Sequence, residues 1–438
     1  MKRGVVVGSG LAGLTAAFRL QEQGWEVKVL ESGDRVGGRV LSVARDGFIL
    51  DVGPTLLTDK YTEYLRLVTE LGLSHLVVDS SPVIGLVKGG TLHLVDSSRP
   101  LVSFATTKLL SVGGKLKLIA RGLRAVKPLW KLNPYDLSDR VQYDTESMDS
   151  YLNRMFGPEL NQALLSAVAR GMTLSTPEAA SVIEFFAGAT AASGKMQNIK
   201  GGMDVLPRAL AERLDVALSA PATAVRRTDD GGVEVDYRDA SGTFTQLRAD
   251  GCVLTTRFTD AAELYPPLKE AGADLLRATE YLGCYSLQLL YDRRPEQEPF
   301  IIMLPEAESP EVCAVFLEHV KAPDRAPAGK GHFTAFFNLN SPLDFARWSD
   351  ERLTGAARTR VESIFPELAG HHLASHLTRW TYAAHKGNVG YYKALDSFLQ
   401  AYPADEPVQV AGDYMSVAGQ ESAVVAGVKA AQRLVAQS

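Results

Sequence analysis

The 438-residue chain predicts a mixed α/β protein built on an open, doubly wound parallel sheet, with a second, α+β unit interleaved into it. Three observations carry this expectation. A β-branched run, Val5-Val6-Val7, leads through a glycine-rich turn into an amphipathic stretch from Leu11 to Gln23. A second short run, Glu26 to Leu30, ends on an acid, Glu31. A third, Val408 to Ala411, stands near the other end of the chain and precedes another helical stretch, Gln420 to Leu434, rich in small residues. Buried parallel strands read as continuous β-branched runs, and apolar residues recurring at three and four positions mark the helices that cover them.

Composition narrows the class. Hydrophobic residues make up 46% and charged residues 22%, and 46 basic against 51 acidic side chains leave a net charge of −5. That balance excludes a disordered chain and gives no overall drive toward nucleic acid. The length suits two or three domains. Cys252, Cys284 and Cys313 are odd in number and widely spaced, which speaks against a disulfide framework or a Cys-rich metal site and fits a reducing, cytoplasmic setting. No apolar stretch approaches the roughly 20 residues that cross a bilayer. Lys2 and Arg3 ahead of an apolar run imitate a secretory signal, but Gly8, Gly10 and Gly13 inside that run argue for a different use.

The turn reads Gly8-Ser9-Gly10-Leu11-Ala12-Gly13. Its first glycine permits a tight turn, its second lets backbone approach a pyrophosphate, and its third allows close contact of helix and strand. The amides that open the helix, at Leu11 and Ala12, then face negative charge. Such a spacing can also serve packing alone. Here a second strand follows and ends at Glu31, eighteen residues past Gly13, with Ser32 beside it. A carboxylate there accepts hydrogen bonds from ribose hydroxyls, so the amino-terminal unit is expected to bind a dinucleotide.

After the acid come Arg35-Val36-Gly37-Gly38-Arg39 and then Asp46-Gly47-Phe48-Ile49-Leu50-Asp51-Val52-Gly53-Pro54-Thr55. With these residues the sequence resembles the flavin amine oxidase, protoporphyrinogen oxidase and carotenoid desaturase superfamily. The resemblance implies a Rossmann-like domain and FAD rather than NAD, with Gly37, Gly38 and Arg39 near the pyrophosphate and ribityl chain and Gly53, Pro54 and Thr55 also at the cofactor. Ala411-Gly412-Asp413, followed by Ser422 to Ala431, is similar to the superfamily's late flavin segment. By that likeness Gly412 and Asp413 contact the ribityl-phosphate region. The helix from Gln420, including Ala423, would aim its free amides at the pyrimidine end of the flavin, where a helix dipole favours negative charge by about 0.3–1 kcal/mol. Gly201 to Pro207 matches the layout of an intervening block, which implies that Val225 meets the adenine side. The attachment points used by covalent members are missing, so the FAD is expected to be non-covalent.

The expected division is therefore discontinuous: residues 1–90, 196–260 and 396–438 form the FAD-binding domain, and 91–195 and 261–395 form the substrate domain. The first substrate part reads as mostly helix. The second reads as a mixed sheet with helices, with strands at Tyr281 to Tyr291, Phe300 to Met303, Cys313 to His319 and His332 to Leu339. Ser97 to Tyr135 holds no acid but eight basic residues among leucines. Over 104–131 this suits peripheral contact with an anionic membrane, or equally a solvated helix face.

Hydride transfer to a flavin needs a substrate carbon held over the ring and water kept out, with no protein nucleophile. Ser150 to Ser181 resembles the protoporphyrinogen oxidase branch, and Gly53 to Leu57 is similar to the carotenoid desaturases. The resemblance implies dehydrogenation of an apolar or conjugated small molecule, by protoporphyrinogen or coproporphyrinogen oxidase or polyene desaturase chemistry, with dioxygen or a quinone as acceptor. An amine or amino-acid oxidase and a redox-neutral isomerase are the alternatives. Amine-oxidising relatives carry a lysine near the flavin where this chain has Ser286. The candidate substrate wall is Arg379 to Tyr392: Tyr382 and Tyr391 offer aromatic faces, and His385 is placed to take a proton, or is simply a hydrogen-bonding histidine. His371, His372 and His376 include an i, i+4 pair of the kind that binds metal on a helix, but without a third ligand no metal site is expected. The protein is expected to be a monomer or homodimer.

Overall fold

In the computed structural model, which describes residues 1–126, 135, 141–173, 176–337, 339 and 343–437, the amino-terminal strand Arg3–Val7 lies at the centre of a five-stranded parallel sheet. The order across the sheet is Asp215–Ala217, Glu26–Leu30, Arg3–Val7, Gly251–Leu254 and Val408–Val410, and every neighbouring pair is parallel. Chain order reverses beside Arg3–Val7, so the crevice beyond the carboxyl ends of the strands opens there, where open α/β sheets bind ligands. Strand alternation sets the layers. Val6 faces the helices Leu11–Glu22 and Gln420–Ala436 in a cluster with Ala12, Ala16, Ala426 and Ala430. Val5 and Val7 face the other way, with Val225, Val233 and Val235 of an antiparallel sheet formed by Ala222–Arg227, Val233–Arg238 and Phe244–Ala249. The two helices touch backbone to backbone: a Cβ added at Gly427 would stand 2.4 Å from the Ala12 carbonyl oxygen.

A second, seven-stranded mixed sheet runs His372–His385, Tyr281–Tyr291, Gly331–Phe337, Val312–Leu317, Ile301–Met303, Val83–Lys88 and Thr91–Asp96. One face buries Leu287, Leu289 and Phe333 against the helix Asp350–Ile364. The other buries Cys284, Phe316 and Phe336 against the helices Met148–Phe156 and Val182–Ala192.

Three expectations are corrected. The domain boundary at residue 90 falls inside the hairpin Val83–Lys88/Thr91–Asp96, whose first strand pairs in parallel with Ile301–Met303, so the hairpin belongs to the large sheet. The strand placed at Cys313 to His319 ends at Leu317, and His319 starts the descent through a short helix, Glu318–Lys321. His372 and His376 lie on a strand rather than a helix; four residues of extended chain span about 13 Å, too far for a chelating pair. Of the basic segment, Pro100–Thr106 and Val112–Val126 are helices, while Lys127, Trp130 and Lys131 lie outside the described residues. Leu174 and Ser175 of the protoporphyrinogen-oxidase-like stretch also lie outside them. Among the described residues no helix is long and apolar enough to cross a membrane.

Candidate flavin crevice

The first turn has the geometry its glycines require. Gly8 sits at φ +105°, and its amide donates to the Leu30 carbonyl at 2.8 Å, tying the turn to the neighbouring strand. A Cβ at Gly13 would lie 2.0 Å from the Gly8 carbonyl oxygen, so no side chain fits there. At Gly10 an added Cβ meets no atom within 4 Å: the space in front of that residue is open. Leu11 and Ala12 are buried at the helix start.

The second glycine pair lies directly on the first turn. The Gly37 amide donates to the Ser9 carbonyl at 2.8 Å, and a Cβ at exposed Gly38 would sit 3.3 Å from the Gly10 Cα. Both Gly37 and Gly38 have positive φ, +97° and +56°, a region that L side chains rarely adopt. Glu31 closes the side of this cradle. It accepts from the Ser9 amide (2.8 Å), the Ser9 hydroxyl (2.7 Å), the Gly33 amide (2.8 Å) and the Ser32 hydroxyl (3.3 Å). A carboxylate offers about four lone-pair sites and these four donors take them, so a diol would bind by replacing the longest contact, that of the Ser32 hydroxyl.

The far end of the chain meets the same place. Arg39 makes a two-pronged pair with Asp413, NH2 to Oδ1 at 2.7 Å and NH1 to Oδ2 at 2.9 Å, and NH1 also donates to the Ala383 carbonyl at 2.9 Å. Burial works to raise the Asp413 pKa, and the guanidinium overrides it, holding the carboxyl below the usual carboxylate range. Gly53 fits beneath: a Cβ there would come within 2.1 Å of the Arg39 carbonyl oxygen. The following segment is tied on both sides. Asn198 Nδ2 donates to the Thr55 carbonyl, next to Pro54, at 3.1 Å, and Gln420 Nε2 donates to the Leu56 carbonyl at 2.8 Å. Glu421 accepts the Glu63 and Tyr64 amides, both at 2.8 Å, and so caps the helix Thr62–Glu70 from across the chain. Ala423 lies in the first turn of its helix, bonded to the Gly419 carbonyl, and Val225 packs in one cluster with Val7 and Leu30.

Beyond the Gln420 helix start lies a cavity of about 100 Å³, lined by Leu56, Leu57, Thr58, Ala187 and Met196 among others, and by Glu184. A larger cavity, about 250 Å³, lies between the helices Tyr391–Ala401 and Gln420–Ala436, and no residue of the two glycine turns lines it. The smaller one is not lined by those turns either, but it is the better candidate for a substrate because Leu56, Gly419 and Glu421 in its lining adjoin Thr55 and Gln420 in the chain.

Of the three expected catalytic residues, His385 and Tyr391 stack on each other and Tyr382 lies at the surface. Tyr382 is 46% exposed, with the Arg257 guanidinium 3.5 Å above its ring, so it is a surface stacking partner rather than a cavity wall. Tyr391 is buried and its hydroxyl donates to the Tyr414 carbonyl at 2.7 Å, which makes it part of the core. His385 stacks on Tyr391 at 4.9 Å and lies near the Arg39–Asp413 pair; burial lowers its pKa to about 4, so it is neutral at neutral pH and a weak base. Ser286 is buried and accepts from Gln288 Nε2 at 3.1 Å. Sequence reasoning passed over Glu184 and Glu421 and gave Tyr392 no role beyond the end of the candidate wall. One signal was available: Glu184 is the single charged residue in the helix Val182–Ala192, whose other residues are apolar apart from Thr190.

Comparison with known proteins agrees with this layout. The family model described as flavin containing amine oxidoreductase matches residues 11–435. A putrescine oxidase of Kocuria rosea is 30% identical over 279 residues, covering 60% of this chain and 56% of that protein. A chloroplastic/mitochondrial protoporphyrinogen oxidase of Arabidopsis thaliana is 29% identical over 189 residues, covering 42% of this chain and 35% of that protein. The chain thus spans about half the length or less of these curated relatives. The structure of cyclohexylamine oxidase from Brevibacterium oxydans superposes with a TM-score of 0.79 at 18% identity, covering 100% of this chain and 99% of that one, a likeness of fold. With both glycine turns facing one crevice and a family match from residue 11 to 435, the chain belongs to the flavin-containing amine oxidoreductase family, and FAD is the cofactor that goes with that membership.

Proposed function

We propose that this protein is an FAD-dependent oxidoreductase that removes a hydride from an apolar or conjugated small molecule. The observation that carries the reading is the convergence of Gly37–Arg39 and Gly412–Asp413 in front of the open space at Gly10. In this reading residues 1 to about 80, 196–260 and 396–438 are the FAD-binding domain, and the remainder is the interleaved substrate domain. Gly8, Gly10, Gly13, Gly37 and Gly38 admit the pyrophosphate; Glu31 accepts the ribose hydroxyls; the Arg39–Asp413 pair fixes the ribityl side; Val225 meets the adenine. The cofactor is held without a covalent bond.

Bound FAD supplies the electron sink for the hydride. The chain's own work is to position and to exclude water. Leu56, Leu57, Ala187 and Met196 give the cavity an apolar lining that favours a carbon skeleton over water. The amides that open the Gln420 helix set positive partial charge beside it. His385, neutral and buried near Arg39 and Asp413, is too weak a base to take a proton efficiently at neutral pH. Dioxygen or a quinone is the terminal acceptor.

Access is proposed from an anionic membrane surface. On the helix Val112–Val126, Val112, Leu116 and Ile119 share one face and are 75%, 62% and 66% exposed, with exposed Lys108, Lys117 and Arg124 around them. Co-sedimentation with vesicles containing anionic lipid, lost on Leu116→Glu, tests this. The reaction itself is tested by anaerobic incubation of the yellow holoprotein with porphyrinogens, polyenes and amines. Loss of the flavin band with porphyrinogens or polyenes is expected; bleaching by amines alone would move the protein to the amine oxidases.

A further inference from the structure

The larger cavity, about 250 Å³, stands apart from both glycine turns, and the helix Gln420–Ala436 builds one wall of it. Ser422, Ala426, Lys429 and Arg433 follow one another at four, three and four residues, a spacing that keeps them on a single face of that helix. The face changes character along its length: a hydroxyl at Ser422, small apolar groups at Ala426 and Ala430, then two cations. A helix dipole favours a cation near the carboxyl end, which accounts for a basic residue there on the open surface. It does not account for an Arg433 that is half-buried at a cavity.

Neither cation has an acid for a partner. Arg433 NH1 reaches Gln409 Oε1 and Lys429 Nζ reaches the Tyr135 carbonyl, both at 3.5 Å, the outer limit of hydrogen bonding. Among the described residues neither forms an ion pair. Burial lowers the Arg433 pKa, and what opposes the fall is the Tyr402 phenol, not a carboxylate. The acid that shares the cavity, Asp396, is engaged on its own helix, where Oδ2 accepts from Gln400 Nε2 at 2.7 Å. Two cations against one acid leave the lining with a charge of 2 − 1 = +1. Leu399, Val410, Met415 and Val425 make the rest of it largely apolar. Ser422, 2% exposed, has a hydroxyl without a partner among the described residues.

We propose that this cavity is a binding site for a medium-chain monocarboxylate, with the carboxylate on Arg433 and Lys429 and the hydrocarbon body along Leu399, Met415, Val425 and Ala426. The planar guanidinium presents paired donors that match a carboxylate, and a charge-assisted bond supplies the compensation that the 3.5 Å contact with Gln409 does not. A surplus of one positive charge suits one negative charge better than a phosphate dianion. The apolar lining favours an anion that carries carbon over a bare inorganic one. Seven residues of helix separate Lys429 from Ser422, about 10 Å of rise, which sets the length of body that the cavity accepts. Ser422 and Tyr135 line the smaller cavity as well, so a bound carboxylate adjoins the candidate substrate site from behind without entering the flavin crevice. The inference stands apart from the oxidoreductase reading, because neither Lys429 nor Arg433 belongs to that crevice.

The test is calorimetric titration of the holoprotein with octanoate, with 1-octanol as the uncharged control of equal length. The wild type is expected to bind one equivalent of octanoate, and octanol about tenfold more weakly or less well still. Arg433→Gln keeps a polar side chain beside Gln409 and removes the charge; it should weaken octanoate about tenfold or more and leave octanol binding, flavin content and melting temperature as in the wild type. Arg433→Lys should recover part of the affinity. Lys429→Gln, at an exposed position where the fold is not at stake, should weaken octanoate about threefold. Saturable octanoate binding that is absent from the wild type, or is equal in the wild type and both glutamine variants, overturns the proposal. So does inorganic phosphate binding as tightly as octanoate. Each of these outcomes leaves flavin reduction by porphyrinogens or polyenes untouched, and a failure of that reaction leaves octanoate binding at Arg433 untouched.

Discussion

At the glycine turns the backbone does the polar work: amides of Gly8 and Gly37 and the open face of Gly10 shape the crevice, and at Gly13 and Gly37 no side chain would fit. Around Asp51 the situation is inverted, and side chains carry everything. Arg325, with no exposed surface, donates from Nε to Asp51 Oδ2 at 2.8 Å and from NH2 to Asn198 Oδ1 at 2.6 Å and the Ile199 carbonyl at 2.8 Å. Lys321 pairs with Glu318 at 2.6 Å, Thr334 donates to Glu318 at 2.7 Å, and His332 Nε2 and Gln288 Oε1 share a hydrogen bond at 2.7 Å. This cluster joins the hairpin Ser42–Arg45/Phe48–Asp51 to the large sheet. A site made to receive a ligand keeps donors and space open, whereas a site made to join two sheets saturates its groups with one another. The difference predicts which substitutions unfold the protein and which only empty it.

The largest effect is expected at the saturated cluster. Arg325→Leu leaves Asp51 and Asn198 buried without their main partner, and breaking such a pair costs about 3–5 kcal/mol. Urea denaturation of the holoprotein measures it. Asp51→Leu added to Arg325→Leu should recover part of the loss, because both charges then leave together. A change below about 1 kcal/mol would mean that water enters and solvates Asp51, and the contrast between the two regions would collapse.

Acid should act on the same cluster next. Burial lowers His332 to about 3, and His385, beside the crevice, to about 4. Both folded values lie below the unfolded one near 6.5, so the unfolded chain binds more protons at mildly acid pH and stability rises with pH there. The contribution is complete above about 6.5 and is lost on acidification from there toward 4, at roughly 1.4 kcal/mol per pH unit for each histidine. Melting curves from pH 7 to pH 5 on the wild type and on His332→Gln read the slope, which should be shallower in the variant.

At the open site the prediction reverses: affinity falls and stability does not. Gly10→Ala places a methyl where no protein atom lies within 4 Å, so apoprotein stability should stay within about 0.5 kcal/mol. FAD affinity should drop about tenfold or more, since the methyl occupies the space the pyrophosphate needs. Gly13→Ala, whose Cβ would overlap the Gly8 carbonyl, is the control that should damage the fold itself. Flavin retention on gel filtration, set beside the apoprotein melting temperature, separates the two.

How far the sequence could be read follows the same division. The crevice was legible because its chemistry depends on spacing within a few residues: Gly8 to Gly13, Glu31 at the end of the next strand, Gly37-Gly38 after it. The parallel sheet followed from those same runs together with Val408 to Ala411. The buried cluster was illegible because its members come from residues 51, 198, 288, 318–325 and 332–334, and only the fold brings them together. Near Arg379 to Tyr392 the sequence says less, for a related reason. Aromatic content alone does not say which face of a strand a ring takes, and Tyr382 points outward over Arg257. The domain boundary was placed at residue 90, inside the hairpin of residues 83–96, because no local signal says which sheet a strand joins.

Tyr382 supplies the smallest expected effect. Its ring is stacked under the Arg257 guanidinium at 3.5 Å and is nearly half exposed, a contact worth about 0.5–1 kcal/mol at such a site. Tyr382→Ala should therefore lower stability by no more than that and leave flavin content and the rate of flavin reduction within about twofold of wild type. The control is Tyr382→Phe, which keeps a ring for Arg257 and should be silent in both measurements. A tenfold loss of flavin reduction in the alanine variant at unchanged stability would return Tyr382 to the substrate wall. Substrate would then have to approach from the open side of the strand His372–His385 instead of through the cavity beside Glu184.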